Sequence, residues 1–357
     1  MVNDTKMTKK HPTEAQIVGL IQKLGQAQSS DIYNNLLNSG EELSFVTVKR
    51  VLSRLEKEGI LAITGAGRST GYLLTEYGKL ISDVNASEYC AIEPDVRYGA
   101  KDYNFKLFDA LNFDLFSVKE KSVLDIASAI YHDRIKNISE TLHKKELERF
   151  VIELSWKSSK IEGNTYTLLD TENLILHGVE APNHSKDEVR MILNHKEAFD
   201  FIHEHKNQFT ALTRSNMENV HKIIVRDLNV TNNIRSKPVG VTGSRYSPLD
   251  NEYQIAEAVE KLSLAVSRMS NGYAKALITL LGISYIQPFE DGNKRTARLM
   301  ANALLLSHKL TPLSYRGIDE KSFRGAMLVF YELNSLLPFK KIFIEQYDFA
   351  AQNYLVA

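Results

Sequence analysis

The residues best placed to do chemistry form one string, QPFEDGNKRTAR, running from Gln287 to Arg298. Pro288 ends whatever helix precedes it, Asp291-Gly292-Asn293 is a turn, and Thr296 opens an amphipathic helix. A glycine turn feeding a helix N-terminus presents unpaired backbone N–H groups and the positive end of the helix dipole, which together bind anions. Lys294, Arg295 and Arg298 add fixed positive charge. Asp291 supplies a hard oxygen ligand of the kind Mg²⁺ takes when it also holds phosphates. Phosphoryl and nucleotidyl transfer depend on such positioning and charge stabilisation, so the string reads as a triphosphate site. A glycine turn before a basic helix is also common, and residue chemistry alone leaves an ordinary helix start open.

These groups need a rigid helical frame, and the chain supplies one. From about Phe105 onward, LERFVIELSWKSSKIE, DEVRMILNHKEAFDFIHEH, IAEAVEKLSLAVSRM, AKALITLLGISYI and TARLMANALLLSHKL each carry apolar residues at helical spacing. Between them KPVGVTGSRYSP, Lys237 to Pro248, alternates Val239 and Val241 before a Gly243-Ser244 turn, which predicts a small hairpin. Upstream, helices are predicted over Ala15 to Leu24, Ser30 to Leu37 and Ser44 to Glu58. Val48, Val51, Leu52 and Leu55 give the third one apolar face. Strands over Ile60 to Ile63 and Tyr72 to Leu74 flank TGAGRSTG. Three helices and a basic-tipped hairpin look like a winged helix-turn-helix domain. That resemblance places Thr47, Lys49, Arg50, Ser53 and Arg54 toward the DNA major groove and Arg68 on the wing. Against it, residues 1–95 hold ten basic and twelve acidic side chains, and many such domains dock proteins instead.

The string at Gln287 closely resembles the Fic motif, H-P-F-x-(D/E)-G-N-(G/K)-R-x-x-R, departing from it only at the first position. The resemblance covers about residues 105–355. It implies a mainly α fold: a helical Fic core with a β-hairpin flap, preceded by the small winged domain. The expected boundaries are 1–84 for the winged domain, 85–104 for a linker and 105–357 for the Fic part. The family transfers AMP, or more rarely another nucleotide or phosphate group, to a protein hydroxyl. Carried over, Asp291 holds Mg²⁺; Gly292, Asn293 and Lys294 form the anion pocket; Arg295 and Arg298 grip the outer phosphates of ATP; Asn334 lies near the adenine. Val239, Gly240, Val241, Thr242, Gly243 and Ser244 become the flap that clamps a target segment as an added strand. SSKIEGN, Ser158 to Asn164, resembles the inhibitory motif (S/T)-x-x-x-E-(G/N). It implies that Glu162 pairs with Arg298 and takes the place of the γ-phosphate. Read without the family, the same string is a helix ending at Gly163 with a solvated Glu162.

Gln287 stands where the family has its general base, and an amide neither accepts a proton near neutral pH nor titrates there. Three accounts follow: an engineered inactive form of an ordinary transferase, which preservation of the other motif positions favours; a natural pseudoenzyme that still senses nucleotide; or an enzyme of the reverse reaction, with Glu162 aligning water. Phosphate transfer is a further alternative, since Doc-type phosphotransferases carry lysine at the place of Lys294, although they have alanine where this chain has Gly292. Nothing in the spacing of His195 or His221 suggests a substitute base, and both read as surface or helix-face residues.

Composition narrows the setting. The chain has 357 residues, 43% hydrophobic and 25% charged, with 44 basic side chains balancing 44 acidic ones. Bulk charge therefore favours no nucleic-acid partner. One cysteine, Cys90, excludes an internal disulfide or a cysteine metal cluster. The N-terminal MVNDTKMTKKHP has no apolar run, and no stretch reaches the roughly 18 apolar residues of a membrane span. The expectation is a cytoplasmic protein whose partner is a protein bearing a serine, threonine or tyrosine acceptor, its own chain included, with DNA and a homodimer as further expectations.

Overall fold

The structure is a computed structural model and describes residues 12–40, 43–136 and 138–356; the side chains of residues 12, 13 and 68 fall outside that description. The wing expectation for Arg68 and the reading of the first eleven residues therefore lie outside the described residues. The chain divides into two compact units. The first comprises Met1–Leu111, Gly240–Ser247 and Lys321–Lys340, the second Asn112–Val239, Pro248–Glu320 and Lys341–Ala357.

In the first unit, α1 (Pro12–Leu24), α2 (Ser29–Asn38) and α3 (Phe45–Lys57) surround a three-stranded antiparallel sheet. Ser44 caps α3 by accepting from the Thr47 N–H at 3.1 Å, and Val48, Val51, Leu52 and Leu55 form its buried face, as their spacing requires. The sheet runs β1 (Gln26–Gln28), β2 (Leu61–Thr64) and β3 (Gly71–Leu74) in spatial order β1-β3-β2, with Gln26 opposite Leu73 and Leu61 opposite Leu74. Strand β1 is an addition to the sequence reading. It spans three residues, QAQ, with no β-branched side chain to announce it.

Residues 85–104, expected as a linker, are built into this unit. After α4 (Glu76–Leu80) they contain α5 (Ala86–Cys90), and Tyr89, Arg97 and Tyr103 are buried. The Tyr89 hydroxyl donates to Glu332 at 2.6 Å, and Arg97 donates to the Ile92 and Gly243 carbonyls at 2.8 and 2.9 Å. Pro94 and Gly99 suggested a loose segment, yet its aromatic residues and arginine find buried partners distant in sequence.

The second unit is helical: α6 (Val118–Ile135), α7 (Glu140–Ile161), α8 (Leu168–His177), α9 (Lys186–Glu204), α10 (Arg214–Ile224), α11 (Glu252–Arg268), α12 (Gly272–Ile286) and α13 (Asn293–Ser307). Then α14 (Glu320–Leu333) falls almost wholly in the first unit, and most of α15 (Leu337–Asn353) in the second. α12 is apolar and buried around nearly its whole circumference, which makes it a core helix. It packs on α11 so closely that a Cβ at Gly282 would lie 2.3 Å from Leu262. α13 is also buried along most of its length and lies against α12, α10 and α9. No helix among the described residues is long and apolar enough to cross a membrane.

Across 237–248 the expected turn forms, with the Ser244 N–H donating to the Val241 carbonyl at 3.0 Å. The residues on either side are not paired as strands, so a turn-bearing loop stands where a hairpin was expected. Only Val239 and Val241 carry the alternation, and so short a two-stranded ribbon gains little by itself.

Candidate anion loop and its carboxylate latch

The loop begins where α12 stops. Gln287 adopts the left-handed conformation (φ 52°, ψ 59°), and its N–H donates to the Ile283 carbonyl at 3.0 Å. Its side chain is 6% exposed and turns back on the helix, Nε2 donating to the Ser284 carbonyl at 2.6 Å. Asn293 clamps the turn from inside. Its Oδ1 accepts from the Phe289 N–H at 2.8 Å while its Nδ2 donates to the Phe289 carbonyl at 2.7 Å. Gly292 is the N-cap of α13 with φ 77°, and it offers no side-chain cap to the first N–H groups of the helix. A helix start without a side-chain cap is one that can take an anion.

Charge gathers on the same turn. Arg298 is 1% exposed and engages the end of α7 through all three nitrogens. Nε donates to Ser158 Oγ at 2.8 Å, Nη2 to the Ser158 carbonyl at 2.9 Å and Nη1 to Glu162 Oε1 at 2.8 Å. Lys294 Nζ reaches the other Glu162 oxygen at 3.3 Å. Glu162 is therefore not a solvated helix end, although the helix does end there. The Glu162, Gly163 and Asn164 N–H groups fold back on the last turn, and Gly163 takes φ 100°. Burial opposes the ionised form of Glu162, but Arg298 and Lys294 outweigh it and hold the carboxyl below its ordinary range.

Arg295 is also buried, with Nη2 donating to Asp291 at 2.9 Å and Nη1 without a hydrogen-bond partner among the described residues. The Asp291 side chain is 64% exposed. No group of three or more His, Cys, Asp or Glu side chains is placed to hold a metal among the described residues. A lone exposed carboxylate fits Mg²⁺ only where phosphate oxygens complete its shell, as Mg²⁺ usually arranges. The open amides, the arginine nitrogen left over and that carboxylate together suit a nucleoside triphosphate.

The comparisons with known proteins bear on the family and the fold. The Fic/DOC family model matches residues 211–305, from just before α10 through most of α13, and the penicillinase repressor model matches residues 11–77. Residues 211–305 are a Fic domain. The protein adenylyltransferase fic-1 of Caenorhabditis elegans is 22% identical over 235 residues, covering 63% of this chain and 46% of its own length. The protein adenylyltransferase Fic of Nematostella vectensis is 25% identical over 184 residues, covering 50% and 43%. The chain spans about half the length of the curated relatives it matches. Among solved structures, a Fic-domain-containing signaling protein from Bacteroides thetaiotaomicron has a TM-score of 0.55 at 19% identity, covering 64% of this chain and 94% of that one. Fic-1 from C. elegans has a TM-score of 0.54 at 18% identity, covering 66% and 71%. These likenesses establish the fold.

The second unit brings together Ser158, Glu162, Gln287, Asp291, Gly292, Asn293, Lys294, Arg295 and Arg298, of which Ser158 and Glu162 lie outside the residues that match the Fic/DOC model. Asn334 belongs to the first unit, where its Oδ1 accepts from Asn104 at 2.9 Å and its Nδ2 donates to the Phe330 carbonyl at 3.1 Å. Val239 closes a segment of the second unit, whereas Gly240 to Ser244 belong to the first, in which Ser244 Oγ donates to Glu332 at 2.6 Å.

The sequence reading missed Arg235 and misplaced His221 and His195. Arg235, 1% exposed, donates from Nε to the Gln287 carbonyl at 2.7 Å and from its backbone N–H to the Pro288 carbonyl at 3.0 Å. His221, expected on a surface or helix face, is fully buried on α10 against the loop, and His195 is fully buried on α9. Neither Arg235 nor His221 has a spacing signal, because the loop carbonyl each one meets is distant in sequence. Burial and the nearby Arg298 and Arg295 hold His195 well below the usual imidazole range. At His221 burial dominates and pushes the pKa down to about 4.

A depressed histidine pKa means that the unfolded chain binds the extra proton between pH 6.5 and 4, so stability falls as pH is lowered through that window. For His221 alone the expected loss from pH 7 to pH 5 is about 2 kcal/mol, measurable by urea unfolding at the two pH values. Equal stability at both would contradict a buried neutral ring.

Proposed function

We propose that this chain has the architecture of a protein adenylyltransferase, with ATP and Mg²⁺ as donor and a serine, threonine or tyrosine hydroxyl of a protein as acceptor. The reading rests on one juxtaposition. The anion loop lies against Glu162, and Arg298, the motif's second arginine, is occupied on every nitrogen by Ser158 and Glu162.

In the transfer step the acceptor oxygen attacks the α-phosphorus, and the bond from that phosphorus to the pyrophosphate oxygen breaks. The α13 amides, Lys294, Arg295 and Arg298 hold the outer phosphates, and Asp291 is the residue that would hold Mg²⁺. The metal, when bound, neutralises charge on the departing pyrophosphate. The hydroxyl proton needs an acceptor at position 287, and the Gln287 amide is not one. The reaction is thus weakened at its base. Glu162 restrains it separately, because its carboxylate occupies the arginine charge that a γ-phosphate needs.

Glu162→Gly is therefore expected to tighten ATP binding to the intact chain by about tenfold or more, since it frees a buried charged donor. Calorimetric titration with ATP and Mg²⁺ checks this, and unchanged affinity would contradict the restraint.

A second reading, a nucleotide-responsive DNA-binding regulator, is favoured by α3 and the repressor-family match. Lys49, Arg50, Ser53 and Arg54 are exposed on α3, with Arg54 paired to Glu14, while Thr47 is half-buried at its start. If this surface binds duplex DNA, the charge change Lys49→Glu with Arg50→Glu reduces the salt slope by about two phosphate contacts, roughly 0.9 per contact. Binding titrations across a salt series, with and without ATP, test it. No salt-dependent binding would leave the domain a protein-docking module.

A further inference from the structure

We infer that His221 is a positioning residue that sets the anion loop, fixing the peptide at Asp291 through Nε2 and the preceding turn through its ring face. The inference rests on the nucleotide-site reading above and extends it to a residue outside the motif. Four observations meet at this side chain. His221 Nε2 lies 2.9 Å from the Asp291 carbonyl oxygen, which can only accept, so this bond requires the proton on Nε2. The ring stacks on Phe289 with centroids 3.6 Å apart and planes 6° from parallel. The residue is fully buried, in the last turn of a helix anchored at its start by Thr213, whose hydroxyl accepts from the Asn216 N–H. A Cβ built at Gly292 would meet Val225 at 3.0 Å, Ile224 at 3.2 Å and His221 at 3.5 Å.

Helix α10 is therefore the floor on which the turn is laid, and His221 is its one polar contact to the turn among the hydrogen bonds described. The consequence for function is directional. Holding the Asp291 carbonyl orients the peptide that leads into Gly292, and hence the amides that follow it. The same bond fixes the backbone from which the Asp291 carboxylate projects. Arg235 holds the opposite end of the loop through the Gln287 and Pro288 carbonyls. Two buried residues outside the motif thus bracket it, one on each side of Phe289.

The experiment uses the intact chain carrying Glu162→Gly, with ATP and Mg²⁺ as the probe. Gln places its Nε2 donor roughly where imidazole Nε2 lies, whereas Asn places its donor near Nδ1. His221→Gln is expected to keep ATP affinity and the hydrogen-exchange protection of residues 291–295. His221→Asn is expected to lose both, with affinity down about tenfold, the scale of one buried hydrogen bond. Nitrogen chemical shifts of the parent imidazole need no variant, and the expected form is the neutral Nε2–H tautomer. An Nδ1–H tautomer overturns the inference, as do Gln and Asn variants that bind and protect alike. If the parent fails to bind ATP while its tautomer and loop protection are as expected, the nucleotide reading fails and the positioning role stands.

Discussion

Gln287→His is expected to raise transfer of labelled AMP by about 10²–10⁴-fold, the usual contribution of a positioned general base. The backbone at 287 is ready for it. Its left-handed conformation is set by the N–H to Ile283 and by Arg235 on its carbonyl, neither of which involves the glutamine side chain. Histidine is among the residues that enter the left-handed region more readily than most. The bond lost is the one from Gln287 Nε2 to the Ser284 carbonyl, a net cost of about 1 kcal/mol. The gain should be largest with Glu162→Gly, because on the proposed reading the missing base and the Glu162 carboxylate limit different parts of the reaction. Initial rates of label transfer from α-labelled ATP, measured for both single changes and the double change, check this. Equal, background rates in all of them would contradict it.

The second large effect concerns stability. Arg298→Ala removes three hydrogen bonds and leaves Glu162 with Lys294 as its charged partner. Breaking a buried ion pair from one side costs about 3–5 kcal/mol. The Glu162 side chain keeps 16% exposure, which places the expected loss at the lower end of that range. Glu162→Ala in the same chain should recover part of it, since no uncompensated carboxylate then remains. Denaturant unfolding of the two single variants and the double variant gives the coupling energy. Additive losses would show that the pair is not coupled as its geometry implies.

Much of this was legible in the residues. The loop at Gln287 to Arg298 was legible because its parts are contiguous: a proline that ends a helix, a glycine that must turn and a helix that must start. α3 was legible because Val48, Val51, Leu52 and Leu55 share one face. The long helices of the second unit were legible for the same reason. The Glu162–Arg298 pairing was implied by resemblance to a family motif, since 136 residues separate the partners. What stayed hidden depends on contacts between distant parts of the chain. β1 has no pattern of its own and exists through pairing with β3. Residues 85–104 looked like a linker because their anchors lie at Glu332 and Gly243. The burial of His221 and Arg235 follows from where α10 and the residues after it meet the loop, which local spacing does not encode. The hairpin at 237–248 failed for a converse reason: its alternation is real but too short to pair strands unaided.

The most direct test of the account is intact-mass analysis of the Gln287→His, Glu162→Gly chain after incubation with ATP and Mg²⁺ and a lysate of candidate acceptors. The account predicts an AMP adduct on the chain itself or on a lysate protein, absent when the unaltered chain is used. A phosphate adduct would make the enzyme a phosphotransferase. No adduct of either kind, from a chain that still binds ATP, would contradict the claim that this is a transferase silenced at Gln287 and Glu162.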